Sequence, residues 1–227
     1  MNRIMPGLIR ATTLSLALLA APSVFAEQNH FYVQGDVGGS IASDVDLKAF
    51  FGEPIAANAQ ISLDPGARFG VRGGYGLTDW LAAEAETGLT INRIDTISTP
   101  GVADSTGSIL NVPLLFNLRL QVPEKNRLAP YAGAGLGFAN TILTGDDLII
   151  GATRFSGSAS DVVFAYQFFA GLRFALNETM GISAEYHYFH AEASSMSVDV
   201  ISGVGSDTVK LGATESHSFT FAFDWRF

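Results

Sequence analysis

Over much of its length the chain alternates. In its last ten residues Phe219, Phe221, Phe223, Trp225 and Phe227 interleave with Ser218, Thr220, Ala222, Asp224 and Arg226. Successive side chains of a β-strand point to opposite faces, so such a segment presents one apolar and one polar surface. The same period of two runs through Val162, Phe164, Tyr166, Phe168, Ala170, Leu172 and Phe174 against Val163, Ala165, Gln167, Phe169, Gly171 and Arg173. It recurs in Leu110, Val112, Leu114, Phe116, Leu118 and Leu120 against Asn111, Pro113, Leu115, Asn117 and Arg119. Ile182, Ala184, Tyr186 and Tyr188 likewise oppose Ser183, Glu185 and His187.

Read this way, the pattern predicts eight strands: His30–Ile41, Gly66–Leu77, Trp80–Asn92, Ser108–Val122, Ala129–Leu143, Asp161–Leu176, Met180–Ala191 and Glu215–Phe227. The connections after the second, fourth and sixth strands are short and made of turn residues. They are Thr78-Asp79, Pro123 to Arg127, and Asn177-Glu178-Thr179. The other four are long, about Ala42 to Pro65, Arg93 to Gly107, Thr144 to Ser160 and Glu192 to Thr214. Short turns on one rim and long loops on the other imply an all-β fold. The expected form is a closed eight-stranded antiparallel up-and-down transmembrane β-barrel with short periplasmic turns and four long outer loops. A soluble β-barrel is the competing fold, and it would bury the Phe/Leu face. Gly133, Gly135 and Gly137 decide for lipid: glycine inside a strand is costly unless something approaches closely, and a narrow lumen full of long polar side chains supplies that reason.

Composition sharpens this picture. Apolar residues make up 48% of the chain and charged ones only 15%, yet beyond the N-terminal segment no apolar run is long enough for a membrane helix. The first 26 residues differ from the rest: Arg3 and Arg10 are their only charges, an apolar stretch runs from Ala11 to Ala21, and Val24 and Ala26 are suitably small. That is the form of a secretory signal peptide, with cleavage expected after Ala26. A barrel domain then occupies 27–227. The net charge of −9 argues against nucleic acid as a partner. The chain has no cysteine, which removes disulfides and thiolate metal sites.

With the Phe/Leu face turned to lipid, the lumen receives Asp36, Arg68, Arg72, Glu84, Glu86, Arg119, Arg173, Glu185, Asp224 and Arg226. Acidic and basic members balance, although the chain as a whole is acidic. Charges away from bulk water must pair, so these residues are expected to form an interior network. Turn lengths predict Arg72 opposite Glu84 and Arg173 opposite Glu185, with Arg119 over the glycine face of the fifth strand. Asp224 and Arg226 are expected beside Gln34 and Asp36. The excess acid falls in the long loops.

Little of the sequence points to catalysis. His187 shares the lumenal face with Glu185, as either a base–carboxylate pair or a hydrogen-bonded plug residue. The plug reading is preferred, because one pair does not make a triad. No histidine is followed two positions on by serine, and Ser216-His217-Ser218 puts neighbours on opposite faces. Asp44-Val45-Asp46 and Asp146-Asp147 lack the ligand spacing of a calcium loop. No cofactor and no metal site is expected. In the first long loop, Val45, Leu47, Phe50 and Phe51 form an apolar cluster that either caps the barrel mouth or contacts a partner.

The segment Ser218–Phe227 resembles the C-terminal signal of bacterial outer-membrane proteins, an alternating aromatic strand ending in Phe. By that resemblance Phe219, Phe221, Phe223, Trp225 and Phe227 form the signal read by the barrel assembly machinery. Phe31-Tyr32-Val33-Gln34-Gly35, Tyr131 to Gly137, Tyr166 to Leu172 and Glu185 to Phe189 are similar to strands of the OmpA-barrel and opacity-type surface antigens, a family of small eight-stranded, porin-like barrels. The resemblance spans the mature chain. It implies a non-enzymatic surface antigen or adhesin in the bacterial outer membrane, a monomer in contact with lipid and lipopolysaccharide, with loops free to meet an extracellular ligand. A low-conductance porin and a membrane-embedded hydrolase are the alternative functions.

Overall fold

In the computed structural model the residues described are 30–50, 53–54, 59–98, 106–122, 127–150, 153–199 and 206–227. The expected signal peptide, 1–26, lies outside them. Thirteen strands follow in order: β1 Phe31–Ala42, β2 Val45–Phe50, β3 Glu53–Pro54, β4 Gln60–Leu63, β5 Gly66–Gly76, β6 Leu81–Ser98, β7 Thr106–Gln121, β8 Leu128–Ile150, β9 Thr153–Ala175, β10 Met180–Ala191, β11 Ser194–Asp199, β12 Ser206–Leu211 and β13 Thr214–Arg226. Eight of them, β1, β5 to β10 and β13, correspond to the strands expected from alternation. Each pairs antiparallel with both neighbours, and β1 with β13 completes the ring.

The stagger of that ring follows from its ladders. Tyr32 lies opposite Gly74, Gly74 opposite Glu84, Glu84 opposite Asn117, and Asn117 opposite Gly135. Gly135 then faces Gln167, Gln167 faces Phe189, Phe189 faces Ser216, and Ser216 faces Ala42. One circuit therefore climbs ten residues along β1, from Tyr32 to Ala42. For eight strands such a shear tilts every strand strongly and leaves an interior that side chains can just fill.

The wall faces the way alternation demands. Phe221 is 75% exposed, Phe116 65% and Phe219 64%, whereas Arg72, Gln167 and His187 are fully buried. In water such an apolar outer surface would be a severe liability; in a bilayer it is the required outer coat.

Within the described residues the long connections carry strands as well. β6 runs on to Ser98, where Ile94, Thr96 and Ile97 favour a strand and pair with β4, and the β8–β9 hairpin extends to Ile150 and Thr153 past a register shift between Gly145 and Leu148. The first and fourth loops carry β2 to β4 and β11 to β12. They join where Leu47 faces Leu211 and Ala49 faces Lys210, and the Gly212 N–H donates to the Asp46 carbonyl at 2.7 Å. Between them Val45, Leu47, Ile61, Met196, Val209 and Leu211 pack on Ile94, Ile109 and Leu143 of the barrel rim. Val45 and Leu47, two of the four residues in the predicted apolar loop cluster, are thus part of a cap over the mouth. Phe51 and the side chain of Phe50 lie outside the description.

Gly135 shows why the glycine face is needed. A Cβ there would strike the Asn117 side chain and crowd the Phe116 carbonyl. Gly73, on the outer wall, has none of the described residues within 4 Å of the equivalent position. Gly135→Val is therefore expected to destabilise the barrel by about 1–3 kcal/mol and to reduce the heat-shifted folded band on a gel. Gly73→Ala should leave that band unchanged.

Candidate functional site: the lumenal charge network

β7 reads down the lumen through its inward positions. Ile109 lies under the cap and Asn111 in a polar layer, Leu115 follows in an apolar layer, and Asn117 and Arg119 reach the charged zone. Thr141 donates to Asn111 Oδ1 at 2.8 Å in the polar layer. Leu115 packs with Ala139, Val163, Ala165, Phe189 and Ala191 in the apolar layer. Below that layer β1, β5, β6, β9, β10 and β13 send in charged side chains.

Glu185 is one hub. Arg72 Nη2 donates to it at 3.0 Å, His187 Nε2 lies 2.8 Å from its Oε2, and the Tyr131 hydroxyl and the Gln34 amide also donate to it. Glu86 is the second hub. It accepts from Arg68 Nη2 at 2.5 Å, Gln167 Nε2 at 2.5 Å and Asn117 Nδ2 at 2.7 Å, and Arg72 Nε lies 3.4 Å away. Glu84 accepts from the Tyr32 hydroxyl and sits 3.6 Å from Arg119 and 3.8 Å from Arg72. Arg68 also meets Asp36 at 3.4 Å. Arg173 grips Asp224 through three contacts of 2.6 to 3.0 Å. Two arginines lie over aromatic faces as well: Arg119 is 3.7 Å from the Tyr131 ring centroid and Arg72 is 4.8 Å from that of Phe169. Burial makes each bond strong in isolation, and loss of a partner correspondingly costly.

Two register expectations are corrected. Arg72 faces Glu86 across the β5–β6 ladder, and Glu84 faces Gly74. Arg173 faces Ser183, and Glu185 faces Gly171. In each case the pairing lies two residues from the expected one, because the turn closes differently: Leu77 and Thr78 donate to the Leu81 carbonyl, and Leu176 and Asn177 to that of Met180. Parity survives a two-residue slip, so the same side chains still point inward. Arg173 finds its carboxylate on β13 instead. Arg119 faces Gly133, Gln34 faces Asp224, and Tyr32 faces Arg226. Arg226 is half-buried at the periplasmic mouth. There it lines a cleft of about 10 Å³ with Tyr32, Arg119, Gln121, Arg173 and Asp224, room for one water.

Charge counting misses the neutral members. Tyr32, Gln34, Asn117, Tyr131 and Gln167 supply most of the hydrogen-bond donors that hold the three buried glutamates. Each sits at an inward parity position of a predicted strand, which is the signal that could have found them. Phe219, Phe221, Phe223, Trp225 and Phe227 all lie on the outer wall.

The pattern of a closed ring with a polar interior and an apolar coat, ending in an outward-facing aromatic strand, is matched along nearly the whole chain. Residues 11–227 fit the family model of the outer membrane protein beta-barrel domain. The chain belongs to the outer membrane β-barrel family. Its place is therefore the bacterial outer membrane. Among solved barrels it is similar to Neisserial surface protein A, with 15% identity over 88% of this chain and 100% of that one and a TM-score of 0.53. It is also similar to OprG from Pseudomonas aeruginosa, with 16% identity over 87% and 96% and a TM-score of 0.57. The protease OmpT from Escherichia coli shares 9% identity over 87% and 97%, with a TM-score of 0.50. At these identities the likeness is one of fold. No curated protein sequence matches the chain.

The chemistry of this family member's His187 is constrained by its surroundings. Glu185 Oε2 at 2.8 Å and Thr220 Oγ1 at 3.4 Å both approach Nε2, and Nδ1 has no hydrogen-bond partner among the described residues. A hydrolytic triad needs the nucleophile on one ring nitrogen and the orienting acid on the other. Here both crowd the same nitrogen of a wholly buried ring.

Arg173→Met, which strands Asp224, is expected to cost about 3–5 kcal/mol in denaturant unfolding from detergent micelles. The double variant Arg173→Met/Asp224→Leu should recover most of that loss. Being buried, the pair should contribute equally at low and high salt.

Proposed function

We propose that the protein is a non-enzymatic integral barrel whose work is done by its outer loops, as a surface antigen or adhesin-like element, with a lumen closed to solutes. The observation that supports closure is the linked set Arg68–Glu86–Arg72–Glu185, whose members are at most 4% exposed and span the bore. A solute crossing the barrel would have to separate these pairs, leave charges unpaired and also lift the apolar cap. That cost is far above thermal energy. The geometry around His187 speaks against a hydrolase. Lipid and lipopolysaccharide contact the outer wall, the assembly machinery reads β13, and any extracellular ligand meets the β2–β4 and β11–β12 loops or the long β8–β9 hairpin. The barrel acts as a monomer.

Planar-bilayer recordings test closure. The purified protein should give no sustained current, and steady nanosiemens steps would establish a pore instead. The Glu185→Gln and His187→Ala variants should leave the hydrolytic activity of outer-membrane fractions unchanged. For the loop role, replacing the Ser194–Leu211 hairpin with a short turn should abolish attachment of expressing cells to a surface while the heat-shifted band persists.

A further inference from the structure

The outer wall carries a depression of about 530 Å³ on the periplasmic half of β8, β9, β10, β13 and β1. A cross-strand row defines it: Leu128 faces Phe174, Phe174 faces Ile182, Ile182 faces Phe223, and Phe223 faces Gly35. One row higher, Leu172 faces Ala184, Ala184 faces Phe221, and Phe221 faces Val37. The bulky members make the walls. Gly35 and Ala184 project almost nothing, and the surface sinks over each of them, on either side of Phe221 and Phe223.

This depression opens to the hydrocarbon of the leaflet on the side of the short turns. A fluid acyl chain moving into it leaves other acyl chains, so no hydrophobic gain drives the transfer. Retention must come from close packing in the hollow and from the headgroup end. That end carries charge of both signs. Arg127, immediately before Leu128, is exposed, and its carbonyl accepts the Ala175 N–H at 2.8 Å. Glu178, in the turn following Ala175, is also exposed. A guanidinium matches a phosphate, and a carboxylate matches an ammonium. A concave hollow is poorly suited to a second copy, whose same face would also be concave.

We propose that the groove is a phospholipid site, holding one acyl chain of a periplasmic-leaflet lipid whose headgroup carries both a phosphate and an ammonium, as phosphatidylethanolamine does. Arg127 meets the phosphate and Glu178 the ammonium.

Native mass spectrometry of the full chain released from nanodiscs of mixed phosphatidylethanolamine and phosphatidylglycerol tests this. The protein should leave with one phosphatidylethanolamine bound. Gly35→Leu fills the floor where a Cβ meets, among the described residues, only the Gly70 carbonyl, at 4.0 Å, and should lower the retained fraction roughly tenfold. Ala184→Phe does the same from β10 and replaces the first variant if that one fails to give a heat-shifted band. Glu178→Ala should erase the preference between the two lipids, and Arg127→Ala should lower the retention of both. Equal retention by folded groove-filled variants, enrichment of phosphatidylglycerol, or a dimer that the filled variants abolish would each overturn the assignment.

Discussion

In hydrocarbon an unpaired backbone amide has no water to bond, and each one left open costs several kcal/mol. A sheet meets that constraint only by closing on itself. The β1–β13 ladder, from Tyr32–Arg226 to Ala42–Ser216, is the closure, and it joins the first and last of the described strands. Every other feature follows from the narrow bore that an eight-stranded closed ring with this stagger leaves.

The side chains that line so narrow a bore change in character with depth. The charged zone on the periplasmic side balances carboxylates against guanidiniums through shared hubs, so that Glu86 and Glu185 each serve several donors. Above it lie small and apolar side chains, then a polar layer, then the cap formed where the first and fourth loops meet. Charge neutrality inside lets the acidic excess of the chain sit in the loops, where water screens it. The same division explains the outer wall. Polar chemistry is spent inward, so the wall is free to be apolar, and differences in side-chain size alone shape it, as where Gly35 and Ala184 lie among phenylalanines.

The legible part of the fold was the part with a short period. Strand positions came from alternation, and the Phe/Leu face from its composition. The inward set from Asp36 to Arg226 came from parity, which survives an error of two residues in register. What parity could not supply was partnership. Arg173 and Glu185 share a hairpin, yet Arg173 bonds to Asp224 on the other side of β10 and Glu185 to Arg72 on β5, because in a narrow tube long side chains reach across the bore as easily as along a ladder. The strand pairing between the first and fourth long loops was not legible either, because it joins segments far apart in sequence, such as Leu47 with Leu211.

The amino-acid sequence by itself determined which residues face lipid and which face the interior, and that the interior charges cancel, since each of these depends only on local alternation and composition. The tertiary structure alone decided the stagger of the ring, the identity of each ion pair, the tyrosine and amide donors that complete the network, and the cap. The physical reason is that these are set by turn geometry and by contacts across the bore, where distance along the chain no longer indicates distance in space.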